Sequence, residues 1–344
     1  MYYQVEQVLD KYEPQTENFY KGRGILICET KQGLFALKEY FGSAQKAEFL
    51  YWLGTYMEKQ GLRCDRMIKN REDALVTEGI DGVTYTMHHW LKGKECDVKS
   101  RMDIMMSISH MAKFHAVCSE PEIKKQYKSE KEMFPEETWN DRSELKASEK
   151  KDGLYEEYTR HDRELKKIYK FISKRRNKSD FERLYLSCFP EFYKQSQNVV
   201  SALKERRDGG GGYTVGICHG DFNQHNILFS AGEPGLIHLE RAYIGKQIAD
   251  LGNFMRKILE KYGWEERLGM EMLHEYVRVH SLTQTDLQGL YYRLSYPEKF
   301  WKIANHYYNS SKVWDSGINR GKLQKEIQQN VSRRRFLRQF EQSF

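Results

Sequence analysis

The polar residues best spaced for chemistry lie in the segment ICHGDFNQHNILF, residues 217–229. Asp221 supplies a carboxylate that can accept the proton of a hydroxyl group, and five residues later Asn226 offers an amide oxygen to a hard cation such as magnesium. His219 leads into this pair and is included in the predicted catalytic set. The apolar residues 227–229 predict a buried strand that would hold the loop rigid, as phosphoryl transfer requires. The segment therefore predicts a phosphotransferase catalytic loop; the alternative is a loop between strands whose polar side chains bond only their own backbone.

The strand expected next departs from the usual metal site of such enzymes. In GLIHLERAYIG, which begins at residue 235, we place the metal-binding strand at residues 235–241, and His238 stands where an aspartate is expected. Imidazole suits softer metals than magnesium, so His238 should weaken or alter cation binding. Because alternate side chains of a strand share a face, we expect Glu240 to lie beside His238 and to offer the cation one carboxylate. The pattern fits either an impaired kinase or a nucleotide-binding protein that has lost its chemistry.

Composition limits the remaining classes of protein. The chain has 344 residues, 39% of them hydrophobic, which is enough for one large core or two lobes. The net charge of +7 comes from charges of both signs along the whole length, which argues against a dedicated nucleic-acid site. The six cysteines show no metal-like spacing and are expected to be reduced thiols. We see neither a signal peptide nor an apolar run long enough to span a membrane, so we expect a protein made and folded in the cytoplasm.

Residues 1–92 are predicted to form a small β-rich lobe. Two strand-like runs at residues 25–40 form a hairpin, and Lys38 lies among the apolar residues of the second run. In a kinase lobe, such a lysine binds nucleotide phosphates and pairs with a glutamate of the following helix. Glu48 fits that role, because residues 43–61 have the serine start, apolar spacing and closing glycine of a helix. Taken alone, Lys38 could equally be a surface lysine of a strand.

A hinge near Gly93 is predicted to connect this lobe to a larger, mostly helical lobe at residues 93–344. We include His89 and Leu91, which directly precede the hinge, among the residues expected to bind the cofactor. A charged helical insertion is predicted at residues 120–180. Further helices are predicted at residues 101–118, 185–205 and 250–263, and from Pro297 onward.

Several longer motifs together point to a known family. They are LFALKEY, WLKGKECD, HGDFNQHNIL, ADLGNFMRKIL and YPEKFWKIANHYYN. On these motifs, over nearly the whole chain, the sequence resembles the CotS family of bacterial spore-coat proteins, within the aminoglycoside phosphotransferase and choline kinase-like superfamily. The resemblance implies an α+β, bilobal, protein-kinase-like fold, with a small antiparallel five-stranded lobe, a larger helical lobe, and ATP in the cleft.

The resemblance also implies roles for individual residues. Lys38 would hold the phosphates, Glu48 would pair with Lys38, and Asp221 would be the catalytic base. Asn226 would be a metal ligand. Choline kinase-like members use an Asp-x-Glu pair on the metal strand, so this sequence keeps the second acid as Glu240 and replaces the first with His238. ATP with magnesium, or with manganese in its place, is the implied cofactor.

Two functions are compatible with these features. In the first, the chain is a spore-coat component that assembles with other coat proteins and uses its kinase-like fold as a degenerate nucleotide-binding pseudokinase. In the second, it is an active ATP-dependent phosphotransferase acting on a hydroxyl of a small molecule or coat component. In either case we expect synthesis in the mother-cell cytoplasm and a final place in the spore coat.

Overall fold

The computed structural model describes residues 2–22, 24–80, 82–123, 153–206, 212–309 and 316–343. The chain divides into two compact units. The first comprises Met1–Asn140 and Ile217–Tyr243, and the second comprises Asp141–Gly216 and Ile244–Phe344. The lobe boundary predicted between residues 92 and 93 lies inside the first unit. The predicted catalytic loop, at residues 217–229, belongs to the same unit.

An antiparallel sheet of six strands forms the frame of the first unit. Its strands are β1 (Thr16–Lys21), β2 (Leu26–Thr30), β3 (Gly33–Glu39), β4 (Met67–Ile68), β5 (Thr77–Glu78) and β6 (Thr84–His89). They follow the order β1-β2-β3-β6-β4, and β5 also pairs with β6. The hairpin predicted at residues 25–40 is confirmed as β2 and β3. The sheet has one strand more than expected, because two strands of only two residues each pair with β6.

Both faces of β3 are covered. On one face, Phe35 and Leu37 belong to a buried apolar cluster with residues of α1 (Tyr2–Leu9) and of neighbouring strands. Side chains alternate along a strand, so Ala36 and Lys38 face the other side of the sheet. Both are buried there as well. A lysine placed on this face must therefore find charged partners.

Two longer helices complete the first unit. α2 (Ala44–Lys59) begins after Ser43, whose side chain accepts a hydrogen bond from the backbone N–H of Lys46. α3 (Arg101–Val117) is capped in the same way by Ser100. The apolar stripe predicted for α3 is confirmed as core, with fully buried side chains at Ile104, Ile108, Met111, Phe114 and Cys118.

The catalytic-loop segment folds around a second, smaller sheet. β7 (Lys94–Glu95), β9 (Ile227–Ser230) and β10 (Glu233–Leu236) lie in the order β10-β9-β7. One short 3-10 helix, Gln224–Asn226, precedes β9, and another, Leu239–Arg241, follows β10. β8 (Val215–Cys218) and β11 (Tyr243–Lys246) contain the residues at which the chain passes from one unit to the other.

Apart from its residues in β8 and β11, the second unit has only helices as regular elements in the part that the structure describes. Its helices are α4 (Leu154–Lys174), α5 (Asp180–Arg206), α6 (Ile248–Lys261), α7 (Glu266–Val279), α8 (Gln284–Ser295), α9 (Glu298–Asn309) and α10 (Ser316–Glu341). Aromatic rings of α5 and α9 stack in the core: the Phe192 and Phe300 centroids are 4.5 Å apart, and those of Phe181 and Tyr307 are 4.0 Å apart. The aromatic residues after Pro297 therefore serve mainly in packing.

Part of one predicted segment lies outside the described residues. Of the predicted charged insertion, residues 154–174 are helical as α4, and residues 124–152 are not described.

The six cysteines are all buried and none is in a disulfide. Among the described helices, none combines the length and the apolar character needed to cross a bilayer.

Candidate functional site

The site is organised around Lys38, which is 4% exposed on β3. Its ammonium Nζ lies 2.5 Å from Oδ2 of Asp65 and also contacts Oε1 of Glu240. Burial alone would lower the pKa of Lys38, but the charges of Asp65 and Glu240 raise it above its ordinary value. The side chain is therefore a cation held between two carboxylates.

The predicted pairing of Lys38 with Glu48 is corrected by this geometry. Glu48 lies on α2 at an exposed position, because Ala47 and Leu50 occupy the buried face of that helix. Asp65, in the segment between α2 and β4, takes the place expected for Glu48. The sequence offered a weak signal for this residue: a buried lysine requires a nearby carboxylate, but nothing in the local pattern identifies which one.

His88 supports the same arrangement from β6. Its Nδ1 lies 3.0 Å from the backbone carbonyl oxygen of Asp65, and its Nε2 lies 3.0 Å from the hydroxyl of Thr86. A carbonyl oxygen can only accept, so Nδ1 carries the proton. Burial, followed by the charge of Lys38, lowers the pKa of His88 to about 4. His88 is therefore neutral near pH 7 and accepts at Nε2 from the Thr86 hydroxyl.

His219 holds the predicted catalytic loop in place from inside the protein. It is fully buried, its Nε2–H donates to the carbonyl oxygen of Ile237 at 3.0 Å, and its Nδ1 accepts from the backbone N–H of Asp221 at 3.3 Å. One imidazole thus ties the loop to the segment that follows β10. The structure places His219 as a positioning residue, because both ring nitrogens contact backbone atoms.

The two polar residues of the predicted catalytic loop lie side by side. The side-chain nitrogen of Asn226 donates to the backbone carbonyl of Asp221 at 2.8 Å. This leaves the amide oxygen of Asn226 as the atom that can offer a lone pair to a ligand. The Asp221 carboxylate accepts a hydrogen bond from Asn223 at 3.0 Å and lies 3.7 Å from a guanidinium nitrogen of Arg241. Its side chain is 34% exposed, so it is accessible to a substrate.

The predicted metal-binding strand ends earlier than expected. β10 stops at Leu236, His238 has left-handed backbone angles (φ 66°, ψ 50°), and Leu239–Arg241 is a 3-10 helix. The expectation that His238 and Glu240 share a strand face is therefore wrong. They are nevertheless neighbours, because the turn brings Nδ1 of His238 to 3.5 Å from Oε2 of Glu240. The turn is fixed by the His238 N–H, which donates to Oδ2 of Asp65 at 2.9 Å.

Several of the side chains described above line a cavity of about 560 Å³ within the first unit. Its polar lining includes Asp221, Asn226, His238 and Glu240. Its apolar lining is formed by Ile25, Ile27, Trp90, Leu228 and Ile237. A cavity of this size with apolar walls and a few convergent polar groups is typical of small-molecule sites.

Of the three residues before the hinge, the structure places only the side chain of Trp90 in the cavity lining. The ring of Trp90 lies 6.0 Å from that of His238, centroid to centroid, and 5.9 Å from the Lys38 ammonium. His89 instead packs against Phe35, with the two rings tilted by 37° and their centroids 4.7 Å apart. His89 and Leu91, which were predicted to bind the cofactor, are not part of the cavity lining, since alternation in an extended segment turns neighbours to opposite faces.

The donors as placed do not fit a magnesium ion. Asn226 can supply an oxygen, but His238 offers nitrogen, and the Glu240 carboxylate already contacts Lys38. Among the described residues, no three His, Cys, Asp or Glu side chains are grouped so that they could hold a metal. Magnesium favours oxygen ligands in near-octahedral geometry. Cation binding would require Glu240 to change partner.

Comparison with known families agrees with this architecture. The family model described as "Spore coat putative kinase YutH" matches residues 5–340. The chain belongs to this spore-coat family. It is 24% identical over 332 residues to Spore coat protein S of Bacillus subtilis (strain 168), covering 92% of this chain and 86% of that protein.

Solved structures show that this spore-coat protein has the kinase-like fold of aminoglycoside phosphotransferases. The aminoglycoside phosphotransferase from Alicyclobacillus acidocaldarius superposes with a TM-score of 0.81 at 19% identity, covering 98% of this chain and 95% of that one. Amicoumacin kinase hAmiN, solved with AMP-PNP and Ca²⁺, gives a TM-score of 0.59 at 12% identity, covering 96% and 93%. The predicted fold class and family are confirmed.

Proposed function

We propose that this member of the YutH spore-coat family binds a nucleotide in the cavity beside Lys38 and is impaired as a phosphotransferase. The observation that carries the proposal is the buried Lys38 cation next to a cavity that also contains Asp221 and Asn226. An adenine ring suits the apolar wall that includes Trp90, and the phosphates suit the end at which the Lys38 ammonium lies. The hAmiN structure, which contains AMP-PNP, supports the choice of nucleotide.

The proposed impairment rests on the metal position. With His238 in place of an acid and Glu240 paired to Lys38, the site lacks the preassembled oxygen ligands that magnesium requires. A softer divalent ion such as manganese tolerates imidazole better and is the more suitable cation. The bound metal would shield phosphate charge; positioning the nucleotide remains the task of the residues described above.

A second candidate function is favoured by Asp221. Its carboxylate is accessible and is oriented by Asn223 and Arg241. In an active enzyme, this carboxylate would accept the proton of an acceptor hydroxyl as the phosphoryl group is transferred. The acceptor would be a small hydroxyl-bearing molecule or a coat component. Loss of transfer in Asp221→Asn, with nucleotide binding retained, would distinguish this function from binding alone.

The cellular role we propose is in coat assembly. Spore coat protein S, to which the chain is similar over 92% of its length, carries that location in its name. We infer synthesis in the mother-cell cytoplasm, followed by association with other coat proteins on the forming spore.

Calorimetry with ATP tests the nucleotide proposal. The wild-type protein should bind ATP, and Lys38→Met should weaken binding about tenfold or more, because a buried charge-assisted contact to phosphate is lost. Lys31→Met is the matched control, since Lys31 lies in the turn between β2 and β3 with its side chain 89% exposed. Nucleotide binding would be refuted if millimolar ATP, with magnesium or with manganese, produced no heat of binding and no shift in melting temperature.

A further inference from the structure

Lys38 has two carboxylate partners that differ in how firmly they are held. We propose that Asp65 is its permanent partner and that Glu240 occupies the position that nucleotide phosphates take, so that binding requires the Lys38–Glu240 pair to open. This inference rests on the proposed nucleotide function and specifies how that site is regulated.

Asp65 is fixed on several sides. Its side chain is fully buried, and its Oδ2 accepts from both Lys38 and the backbone N–H of His238. Its own backbone N–H donates to Leu236 at 3.1 Å, and its carbonyl accepts from His88 at 3.0 Å. An incoming ligand cannot displace this carboxylate without breaking the hydrogen bond from the His238 N–H that fixes the turn.

Glu240 is held more loosely and faces the cavity. Its side chain is 30% exposed, compared with 5% for Lys38. Glu240 belongs to the cavity lining, and Lys38 does not. The carboxylate of Glu240 therefore covers the ammonium on the cavity side, where a phosphate would approach. Its other contact, between Oε2 and Nδ1 of His238, is 3.5 Å long.

The charges favour an exchange over a simple addition. One cation and two anions give the group of Lys38, Asp65 and Glu240 a formal net charge of −1. A phosphate added to this group would meet that negative charge, whereas a phosphate that replaces Glu240 keeps Lys38 in contact with two anionic groups. The carboxylate of Glu240 is in direct contact with the Lys38 ammonium, so it competes with phosphate for that contact.

The experiment compares ATP affinity, measured by calorimetry in EDTA, between Glu240→Gln and a charge control. Glu240→Gln should bind ATP about five- to tenfold more tightly than wild type, since a partly exposed ion pair no longer has to open. Glu95→Gln removes a negative charge from the same cavity lining, where Glu95 pairs with His225. That control should change the affinity less than about twofold, because Glu95 does not contact Lys38.

Two further variants keep the inference open to refutation. In a Lys38→Met background the gain from Glu240→Gln should disappear; a gain that persists, or one matched by Glu95→Gln, would show a general charge effect and overturn the exchange. Asp65→Asn should lower the melting temperature, whereas Glu240→Gln should leave it nearly unchanged. Equal ATP affinity in wild type and Glu240→Gln would refute the exchange while leaving nucleotide binding intact. Absence of binding in every variant would refute both proposals.

Discussion

His238 combines two departures from what its position favours. Its φ of 66° is a left-handed backbone conformation that asparagine and aspartate adopt more readily than histidine. Its imidazole stands beside Glu240 where a hard cation would need oxygen ligands. Aspartate at position 238 would tolerate the left-handed backbone angles and would also supply an oxygen ligand.

We therefore expect His238→Asp to raise magnesium-dependent ATP affinity on the order of tenfold, because it supplies an oxygen ligand next to Asn226 and Glu240. His238→Asn is the matched control, since it shares the tolerance for left-handed angles and provides only a neutral amide. Calorimetric titration of ATP at several magnesium concentrations would measure both variants. Equal magnesium dependence in wild type and His238→Asp would show that position 238 does not reach the cation.

At the residue level, the sequence predicted which side chains of one loop lie together better than it predicted the partner of Lys38. Asp221 and Asn226 are five residues apart in one loop, and such local spacing survives folding. The partner of Lys38 depends on how separate segments meet, so Asp65 could not be distinguished from Glu48 before folding. Trp90 was missed for a similar reason, since the phase of alternation at the end of β6 decides which neighbour faces the cavity.

At the scale of the elements, the turn that leads into the predicted catalytic loop requires a glycine at position 220. Gly220 has a φ of +79°, and a Cβ placed on it would lie 2.2 Å from the carbonyl oxygen of Arg241. Gly232, between β9 and β10, has a similar φ of +82°, but no atom lies within 4 Å of such a Cβ. The two glycines share the backbone requirement and differ in the space around them.

Alanine substitution should separate these two effects. Gly232→Ala should lower the free energy of unfolding by about 1–2 kcal/mol, the cost of left-handed backbone for a residue with a Cβ. Gly220→Ala should cost about 1–3 kcal/mol more, because the backbone at Arg241 must also move. Denaturant titration measures both changes. Equal losses would show that the loop relaxes around the added methyl group.

The elements also show where sequence periodicity ceased to apply. It predicted α2, α3 and α6 closely, because capping residues and apolar spacing are local properties of a helix. It failed after Leu236, where the chain leaves the strand and turns at His238. That turn depends on Asp65, more than 170 positions earlier in the chain, which accepts the His238 N–H. No window of local sequence contains both residues.

At the scale of the whole molecule, the aromatic core and the cavity lie in different units. The stacked rings of α5 and α9 form a core in the second unit. The first unit holds the cavity and every residue proposed to contact nucleotide. Because fold and function are separable, the proposed role in coat assembly does not require strong chemistry at the cavity.

We accordingly expect assembly into the coat to survive the loss of nucleotide binding. In a sporulating bacterial host, a fluorescent fusion of the wild-type protein should begin in the mother-cell cytoplasm and collect on the forming spore, and a Lys38→Met fusion should follow the same course. The exposed Lys31→Met variant controls for the substitution itself, and the melting temperature of each purified protein shows whether it is folded. A folded Lys38→Met fusion that stays evenly cytosolic would show that the nucleotide site is needed for assembly. A wild-type fusion that never reaches the spore would contradict the proposed coat role, because the family resemblance would then reflect the fold alone.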